Sequence, residues 1–229
     1  MDDLKGMMPD DADWHVVYST VAESLSSTQI KCTPIIGGNY IKVAGNPYHC
    51  SFGFQVKKGP LWGWITAGHC AEGSLGRTVT DRTGTNLGTV HSEKYYWGTY
   101  CDCALITTRD PSVVDNKVFA AGIHTITKTT TAHQQQNDKI LKTGQAGGVD
   151  GGTITTVDVT VIDFLKGEYM RGLVRSTMVM EHGDSGGTIV ERTDQGDLYG
   201  IATTHDLWGY YHTPVNQITS EMGVTPVLG

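Results

Sequence analysis

Short segments with alternating apolar and polar residues dominate this chain, and glycine-rich turns separate them. Residues 50–56 alternate in this way and are followed by turn residues at 58–60. Further strand-like segments occupy residues 62–66, 139–142, 152–164, 172–180 and 198–204, and residues 77–90 predict a hairpin with Gly84 in the turn. Many short strands at this spacing are typical of antiparallel barrels and sandwiches, so the pattern predicts an all-β fold. Residues 215–222 instead predict a short terminal helix, with Thr213 or Pro214 at its start.

The first 34 residues differ from the rest of the chain. They are acidic, and Asp10 or Asp11 would cap a helix there. Apolar side chains recur at helical spacing at Trp14, Val17, Tyr18, Val21 and Leu25. We expect this N-terminal helical extension to pack on the main body. A propeptide remnant or a partner-binding arm is the alternative.

The bulk composition excludes several classes of function. The 229 residues carry a net charge of -7 with no basic patch, so we expect no nucleic-acid partner. No apolar run is long enough to span a bilayer, and we expect no membrane insertion. The first residues lack the hydrophobic core of a signal peptide, although a precursor could have been trimmed before this numbering begins.

Two short motifs carry the chemistry. Residues 183–187 read Gly-Asp-Ser-Gly-Gly, and residues 66–70 read Thr-Ala-Gly-His-Cys. Between them, Asp102 opens a strand-like run, so His69, Asp102 and Ser185 follow one another in the chain order of the chymotrypsin-like serine proteases. A serine hydroxyl holds its proton at neutral pH, and an imidazole oriented by a buried carboxylate can accept it. We therefore predict a serine nucleophile.

The glycines around Ser185 predict a tight turn that exposes the backbone N–H groups of Gly183 and Ser185. These two donors would form the oxyanion hole. The same five residues also satisfy Gly-x-Ser-x-Gly, the nucleophile elbow of α/β-hydrolases, which would need Asp206 and His212 as partners. The segment after Ser185 is too short for the remaining strand–helix units of that fold. The esterase hypothesis also leaves the His69 motif unexplained.

The cysteines number five, so at least one thiol is free or pairs between chains. Cys101 and Cys103 alternate along a strand-like run, and we expect them to point to opposite faces, which argues against a bond between them. Cys103 is interpreted as a small buried apolar residue. No Cys-x-x-Cys pair exists and the nine histidines are scattered, so we predict no metal site.

Most of the chain, from about Ile35 onward, resembles the bacterial branch of the chymotrypsin-like proteases, which includes the streptogrisins and alpha-lytic protease. The resemblance lies in Ile-Gly-Gly at 36–38, in residues 50–54 and 66–70, and in the closing segment 214–224. It implies two antiparallel six-stranded Greek-key barrels with the active site in the cleft between them. The domains would be residues 1–34 as the extension, 35–120 with His69 and Asp102, and 121–229 with Ser185.

The resemblance also implies residue roles. His69 would be the general base, Asp102 its orienter, and Cys50 and Cys70 a disulfide. The predicted substrate-binding residues are Met178, Val179, Met180, Glu181, Ala202, Thr203, Thr204 and His205. The chain departs from the family because it has no cysteine after Cys103, and because His205 stands where glycine is common.

Asp184 has a further implied role. In animal relatives this aspartate pairs with an N-terminal amine released by cleavage, whereas bacterial relatives use an internal arginine. The chain continues upstream of Ile35, so we expect no such amine here. Lys142 falls at the place of the arginine, and we predict a buried ion pair between Lys142 and Asp184.

The resulting hypothesis is a secreted or extracytoplasmic serine endopeptidase that needs no cofactor and acts on protein or peptide substrates. The apolar residues Met178, Val179, Met180 and Ala202 predict cleavage after medium or large apolar residues. Preference for Glu or Asp, through His205 with Thr203 and Thr204, is the alternative. A catalytically silent binding protein of the same fold is a second alternative, although such proteins usually lose a triad residue. The sequence does not establish the oligomeric state, and we take the protein to be a monomer.

Overall fold

The computed structural model describes residues 34–95, 98–120, 122–129, 134–163, 168–206 and 208–229. Within these residues the chain is mostly β, with a single α-helix, α1, at Val215–Met222. No helix in the described part is long and apolar enough to cross a membrane. The predicted N-terminal helix lies outside the described residues.

The strands follow in chain order, with a short 3-10 turn at Pro111–Val113 before β9. They are β1 (Ile35–Gly37), β2 (Tyr40–Val43), β3 (Cys50–Ser51), β4 (Gln55–Lys58), β5 (Leu61–Thr66), β6 (Thr78–Thr80), β7 (Asn86–Lys94), β8 (Cys103–Thr108), β9 (Val114–Phe119), β10 (Ile123–Thr125), β11 (Lys128–Thr129), β12 (Lys139–Gly144), β13 (Gly148–Asp163), β14 (Glu168–Ser176), β15 (Thr188–Glu191), β16 (Asp197–Asp206), β17 (Gly209–Pro214) and β18 (Thr225–Pro226).

The first large sheet has the order β18-β4-β5-β8-β7-β6-β2-β3, and every neighbouring pair is antiparallel. Its interior is apolar because alternate residues of each strand share a face. Phe52 and Trp64 are fully buried there, with ring centroids 4.9 Å apart. In the middle of β5, Gly63 has no room for a side chain, because a Cβ would lie 3.0 Å from the side chain of Leu105 and closer still to the backbone of β8.

The second large sheet has the order β11-β16-β15-β12-β13-β14-β17. Strand β16 also pairs with β17, so the sheet closes on itself. Closure removes unpaired edges and encloses a core that includes Ile140, Ile154 and Ile189. The second sheet is therefore barrel-like, whereas no pairing among the described residues closes the first, and a smaller three-stranded sheet, β1-β9-β10, accompanies them.

The C-terminal segment joins the two halves. Helix α1 buries Val215, Ile218 and Met222 in a core cluster that also contains Leu105 of β8 and Val190 of β15. Beyond the helix, β18 pairs with β4 and so returns the chain to the first sheet. The prediction of a short terminal helix at residues 215–222 is confirmed.

The prediction about Cys101 and Cys103 is wrong. The two residues form a disulfide with a Cα–Cα distance of 5.4 Å, and both are fully buried. Residues i and i+2 of an extended segment point to the same face, not to opposite faces. Both sulfurs accordingly lie in the core cluster beneath α1. The predicted disulfide between Cys50 and Cys70 is confirmed, and Cys32 lies outside the described residues.

Candidate active site

His69 and Asp102 meet at the ends of two neighbouring strands. His69 follows β5 and Asp102 precedes β8, and these strands pair with Thr66 opposite Ala104. Asp102 Oδ2 lies 2.7 Å from His69 Nδ1, and Asp102 Oδ1 accepts a 2.9 Å hydrogen bond from the His69 backbone N–H. The carboxylate is fully buried, whereas the imidazole is 28% exposed. Both carboxylate oxygens thus hold His69, one at the backbone and one at the ring.

The electrostatics of His69 follow from this arrangement. Burial is the largest single influence and by itself lowers the pKa of the imidazole. The charge of Asp102, its hydrogen bond and the charge of Glu72 act in the opposite direction. Together they raise the pKa of His69 above its ordinary value of 6.5. The surroundings of His69 therefore favour the protonated ring more than water does.

Ser185 lies in the loop between β14 and β15, and residues of the first sheet hold that loop. The Ser51 hydroxyl donates to the Gly183 carbonyl at 2.8 Å, and the Ser51 backbone N–H donates to the Ser185 carbonyl at 2.8 Å. Gly183 has a φ of 111°, which favours glycine. Among the hydrogen bonds of the described residues, none uses the backbone N–H of Gly183 or of Ser185. These two donors are available to a ligand.

A cleft of about 450 Å³ joins the predicted residues. His69, Gly183 and Ser185 line it, together with the predicted binding residues Met180, Glu181, Thr203, Thr204 and His205.

Three predicted binding residues are not among those that line the cleft. Met178 and Ala202 are fully buried in the core of the second sheet. Val179 is 49% exposed, and its backbone N–H donates to Asp150 at 2.5 Å.

Other residues of the cleft were not predicted as site residues. Tyr48 and His49 enter it from the loop before β3, Tyr95 from the end of β7 and Met170 from β14. The Tyr95 ring lies 5.5 Å from the His69 ring, centroid to centroid. Tyr48 and His49 immediately precede Cys50, and Cys50 is bonded to the neighbour of His69, so the motif offered a signal for them. No local signal marks Tyr95 or Met170, which arrive through the tertiary fold.

Lys142 and Asp184 lie behind the Ser185 loop. Both side chains are fully buried, and Lys142 Nζ is 2.5 Å from Asp184 Oδ2. The Asp184 carboxylate also accepts hydrogen bonds from the backbone N–H groups of Ala146, Gly147 and Glu181, at 2.9–3.0 Å. A Cβ at Gly147 would lie 2.7 Å from Asp184 and 2.9 Å from Lys142 Nζ. Only glycine therefore allows the backbone at residue 147 to lie this close to the ion pair. Asp184 therefore joins the turn after β12 to the Ser185 loop.

The partners that an esterase would need are engaged elsewhere. His212 is fully buried, with Nε2 2.6 Å from the Gln134 side chain, and burial lowers its pKa to about 3. Asp206 accepts hydrogen bonds from the Tyr211 hydroxyl at 2.9 and 3.0 Å. The described chain also lacks the repeated strand–helix units of an α/β-hydrolase.

Ligand-type atoms of Cys50, His69 and Cys70 lie within 4.8 Å of one another. The two sulfurs are bonded to each other, so they cannot serve as thiolate ligands. This cluster is accordingly no basis for a metal site.

Comparisons with known proteins agree with the geometry, although no family model matches the chain. Streptogrisin-A of Streptomyces griseus is 27% identical over 198 residues, covering 85% of this chain and 62% of its own length. Streptogrisin-D of the same organism is 30% identical over 72% of this chain, and the match spans only 41% of its own length. Serine protease 2 of Streptomyces fradiae is 31% identical over 163 residues, covering 68% of this chain and 87% of its own.

Solved structures extend the comparison. Protease A of Thermobifida fusca superposes with a TM-score of 0.69 at 30% identity, covering 85% of this chain and 99% of its own. A glutamic-acid-specific serine protease, described as using a histidine triad in substrate binding, superposes with a TM-score of 0.70 at 26% identity, covering 84% and 100%. The sequence relatives, the shared fold and the matching motifs show that this chain belongs to the bacterial chymotrypsin-fold serine proteases, the family of the streptogrisins.

Proposed function

We propose that the protein is a serine endopeptidase in which Ser185 is the nucleophile, His69 the general base and Asp102 the residue that orients His69. One observation carries the proposal. A single cleft contains Ser185, two backbone N–H groups with no acceptor among the described residues and an imidazole whose Nδ1 is bonded to a buried carboxylate. This combination supplies a nucleophile, a base and an oxyanion hole.

The mechanism follows from which atoms are already engaged. Asp102 holds Nδ1 of His69 as a donor, which leaves Nε2 to accept the Ser185 proton. The Ser185 oxygen then attacks the scissile carbonyl carbon, and the N–H groups of Gly183 and Ser185 stabilise the resulting oxyanion. The imidazolium returns its proton to the leaving amine, and the acyl-enzyme remains. Water, activated by the same imidazole, hydrolyses that ester and restores Ser185.

The substrates in this proposal are extended protein or peptide segments. Strand β16 ends beside the cleft, where residues 203–205 would pair with the substrate backbone. In this proposal the eight-stranded and seven-stranded sheets contain the two six-stranded barrels of the family, in residues 35–120 and 121–229, with β18 crossing back to the first sheet and residues 1–34 as an extension. Secretion of the protein fits its relatives, which are Streptomyces serine proteases.

Labelling with a fluorophosphonate tests the proposal directly. We expect stoichiometric labelling of Ser185, mapped by peptide mass spectrometry, and loss of labelling in His69→Ala. A folded protein that neither labels nor hydrolyses peptides would support the silent binding protein. Label on a different serine would reject the assignment of the nucleophile.

The pH dependence gives a second test. Only neutral imidazole is a base, so kcat/KM should fall as the pH drops through the pKa of free His69. Because Asp102 and Glu72 raise that pKa, we expect the midpoint of the acid limb to lie above pH 6.5. A pH–rate profile with a neutral peptide substrate measures it. The absence of an acid limb between about pH 5 and 8 would contradict the assignment of His69 as the base.

Cleavage after acidic residues is favoured over the apolar preference by one observation. Of the four apolar residues predicted to form the pocket, only Met180 lines the cleft, whereas His182 and His205 both line it. Their rings meet edge to face at 5.8 Å, and His205 also packs on Tyr210 at 5.7 Å. Imidazole N–H groups are suitable donors to a substrate carboxylate. The Glu181 carboxylate, which also lines the cleft, acts against this preference.

Cleavage-site profiling on a denatured proteome decides between the two preferences. We expect Glu or Asp to dominate immediately before the scissile bond. His205→Gly should lower kcat/KM for a glutamate substrate by roughly tenfold to a hundredfold, the effect of losing a hydrogen bond to a charged group. His91→Gly, on β7 outside the cleft lining, is the matched control. Dominant apolar residues would favour the Met180 pocket, and dominant Lys or Arg would reject both.

A further inference from the structure

The residue proposed to orient His69 is bracketed by a disulfide. Cys101 and Cys103 flank Asp102 directly and are bonded to each other. The covalent ring that the disulfide closes therefore contains Asp102 as its only intervening residue. All three residues are fully buried. Neither sulfur takes part in the chemistry described above.

The backbone from Cys101 to Cys103 is less extended than in a regular strand. Two residues of an extended strand span roughly 6.6 Å, whereas the Cα atoms of Cys101 and Cys103 are 5.4 Å apart. The regular strand β8 begins only at Cys103, so Asp102 lies at the bend. Both sulfurs are embedded in the core cluster beneath α1. The Asp102 side chain, by contrast, is directed at His69.

The neighbouring backbone transmits this constraint to His69. Gly68, the residue before His69, packs so closely on the start of β8 that a Cβ there would lie 2.9 Å from the Cys103 backbone nitrogen. On the other side, Thr99 Oγ1 donates to the Cys101 carbonyl at 3.2 Å. A shift of Cys103 would therefore move Gly68, and with it the His69 N–H that bonds Asp102.

We propose that the Cys101–Cys103 disulfide is a positioning element of the active site, which holds the Asp102 carboxylate in the orientation that bonds both the backbone N–H and Nδ1 of His69. The inference rests on the proposed function only for its effect on turnover. The constraint on the geometry of Asp102 and His69 exists whether or not the protein hydrolyses peptides.

The test compares wild type with the double variant Cys101→Ala/Cys103→Ala. We expect kcat to fall at least tenfold with KM within about twofold, since a misplaced carboxylate weakens the transition state and not substrate binding. The loss should stay below the roughly 10⁴-fold caused by losing the orienting role of the carboxylate. The acid limb should move to lower pH, because Asp102 is the main charge that raises the pKa of His69. Cys101→Ser/Cys103→Ser, which keeps the number of side-chain heavy atoms and removes the bond, serves if the alanine pair does not fold.

A control separates positioning from general stability. Val215→Ala removes core volume from the same cluster on α1 without touching Asp102. It should lower the unfolding temperature but leave kcat and the acid limb unchanged. If the double variants behave like Val215→Ala, the positioning role is rejected. Non-reducing peptide mapping of native wild type that finds both thiols free would reject it as well.

A measurement independent of turnover separates this inference from the proposed function. The His69 titration, followed by NMR, should shift to lower pH in the double variant even if the protein proves not to be a protease. If the wild-type protein is not labelled by the fluorophosphonate, the proposed function is rejected. The titration of His69 then still tests the disulfide proposal. An unchanged titration in an active enzyme would defeat the disulfide proposal alone.

Discussion

Replacement of Ser185 by alanine is expected to lower peptide hydrolysis by roughly 10⁶-fold, because the residues of such a triad act as a unit. The alanine variant can form no acyl-enzyme, so what remains is the stabilisation provided by the two backbone N–H groups and by substrate binding. Folding should be preserved. The contacts that hold the loop use the carbonyls of Gly183 and Ser185 with Ser51, and none of them needs the Ser185 side chain.

Steady-state kinetics at equal concentrations of purified protein measure the effect, with circular dichroism as the check on folding. His69→Ala should cost about as much, and the Ser185→Ala/His69→Ala double variant should lose little more than either single variant. Ser112→Ala, in the exposed turn before β9, is the matched serine control and should retain full activity. Near-normal proteolysis by purified Ser185→Ala would mean that another group is the nucleophile. If the fold-losses of the two single variants multiplied in the double variant, the two residues would not act together.

The sequence predicted the parts of the fold that depend on local pattern. The alternation of apolar and polar residues gave the strands, and Pro214 before residues 215–222 gave the helix, whose observed bounds agree. The His69–Asp102 contact was also within reach. Strands β5 and β8 are antiparallel neighbours, and both motif residues lie just outside their paired ends.

The residues that shape the cleft could not be predicted in the same way. Met170 lies in the long strand β14, paired with Val161 of β13, and reaches the cleft from a part of the sequence that carries no motif. Met178 and Ala202 belong to predicted strands beside the site, but Met178 lies beyond the end of β14, and the side-chain direction of Ala202 in β16 depends on register. In the folded chain both point into the core. A shift of one residue in register exchanges the two faces of a strand, and no local signal fixes it.

The error over Cys101 and Cys103 had a different origin. It concerned strand geometry, since residues two apart share a face. The correct rule would have placed both sulfurs on the core side and Asp102 between them on the other side. That alternation agrees with the observed burial of the cysteines in the core beneath α1 and with the contact between Asp102 and His69. The alternation of Cys101, Asp102 and Cys103 is thus sufficient to predict both the buried sulfurs and the direction of the Asp102 side chain.

Lys142→Met is expected to destabilise the protein by about 3–5 kcal/mol, because removing one partner leaves the Asp184 carboxylate buried and without its counter-charge. The unfolding temperature should fall by on the order of 10 °C for a chain of this size. Both side chains are fully buried, so water cannot replace the lost partner without rearrangement. Activity should fall as well. Asp184 also holds the N–H groups of Ala146, Gly147 and Glu181, and it immediately precedes Ser185.

Thermal and denaturant unfolding, with kcat/KM measured below the unfolding transition, test this expectation. Lys142→Arg keeps the charge and should retain more stability and activity than Lys142→Met, at some cost for the larger group in a closed site. Lys139→Met on the same strand is the matched control. Lys139 is exposed, and among the described residues its ammonium bonds only the Thr153 hydroxyl, so its effect should stay within about 0.5 kcal/mol. If Lys142→Met were as stable and as active as Lys139→Met, the ion pair would have no role in shaping the Ser185 loop. Pairing of Asp184 with an N-terminal amine would then become the alternative to test.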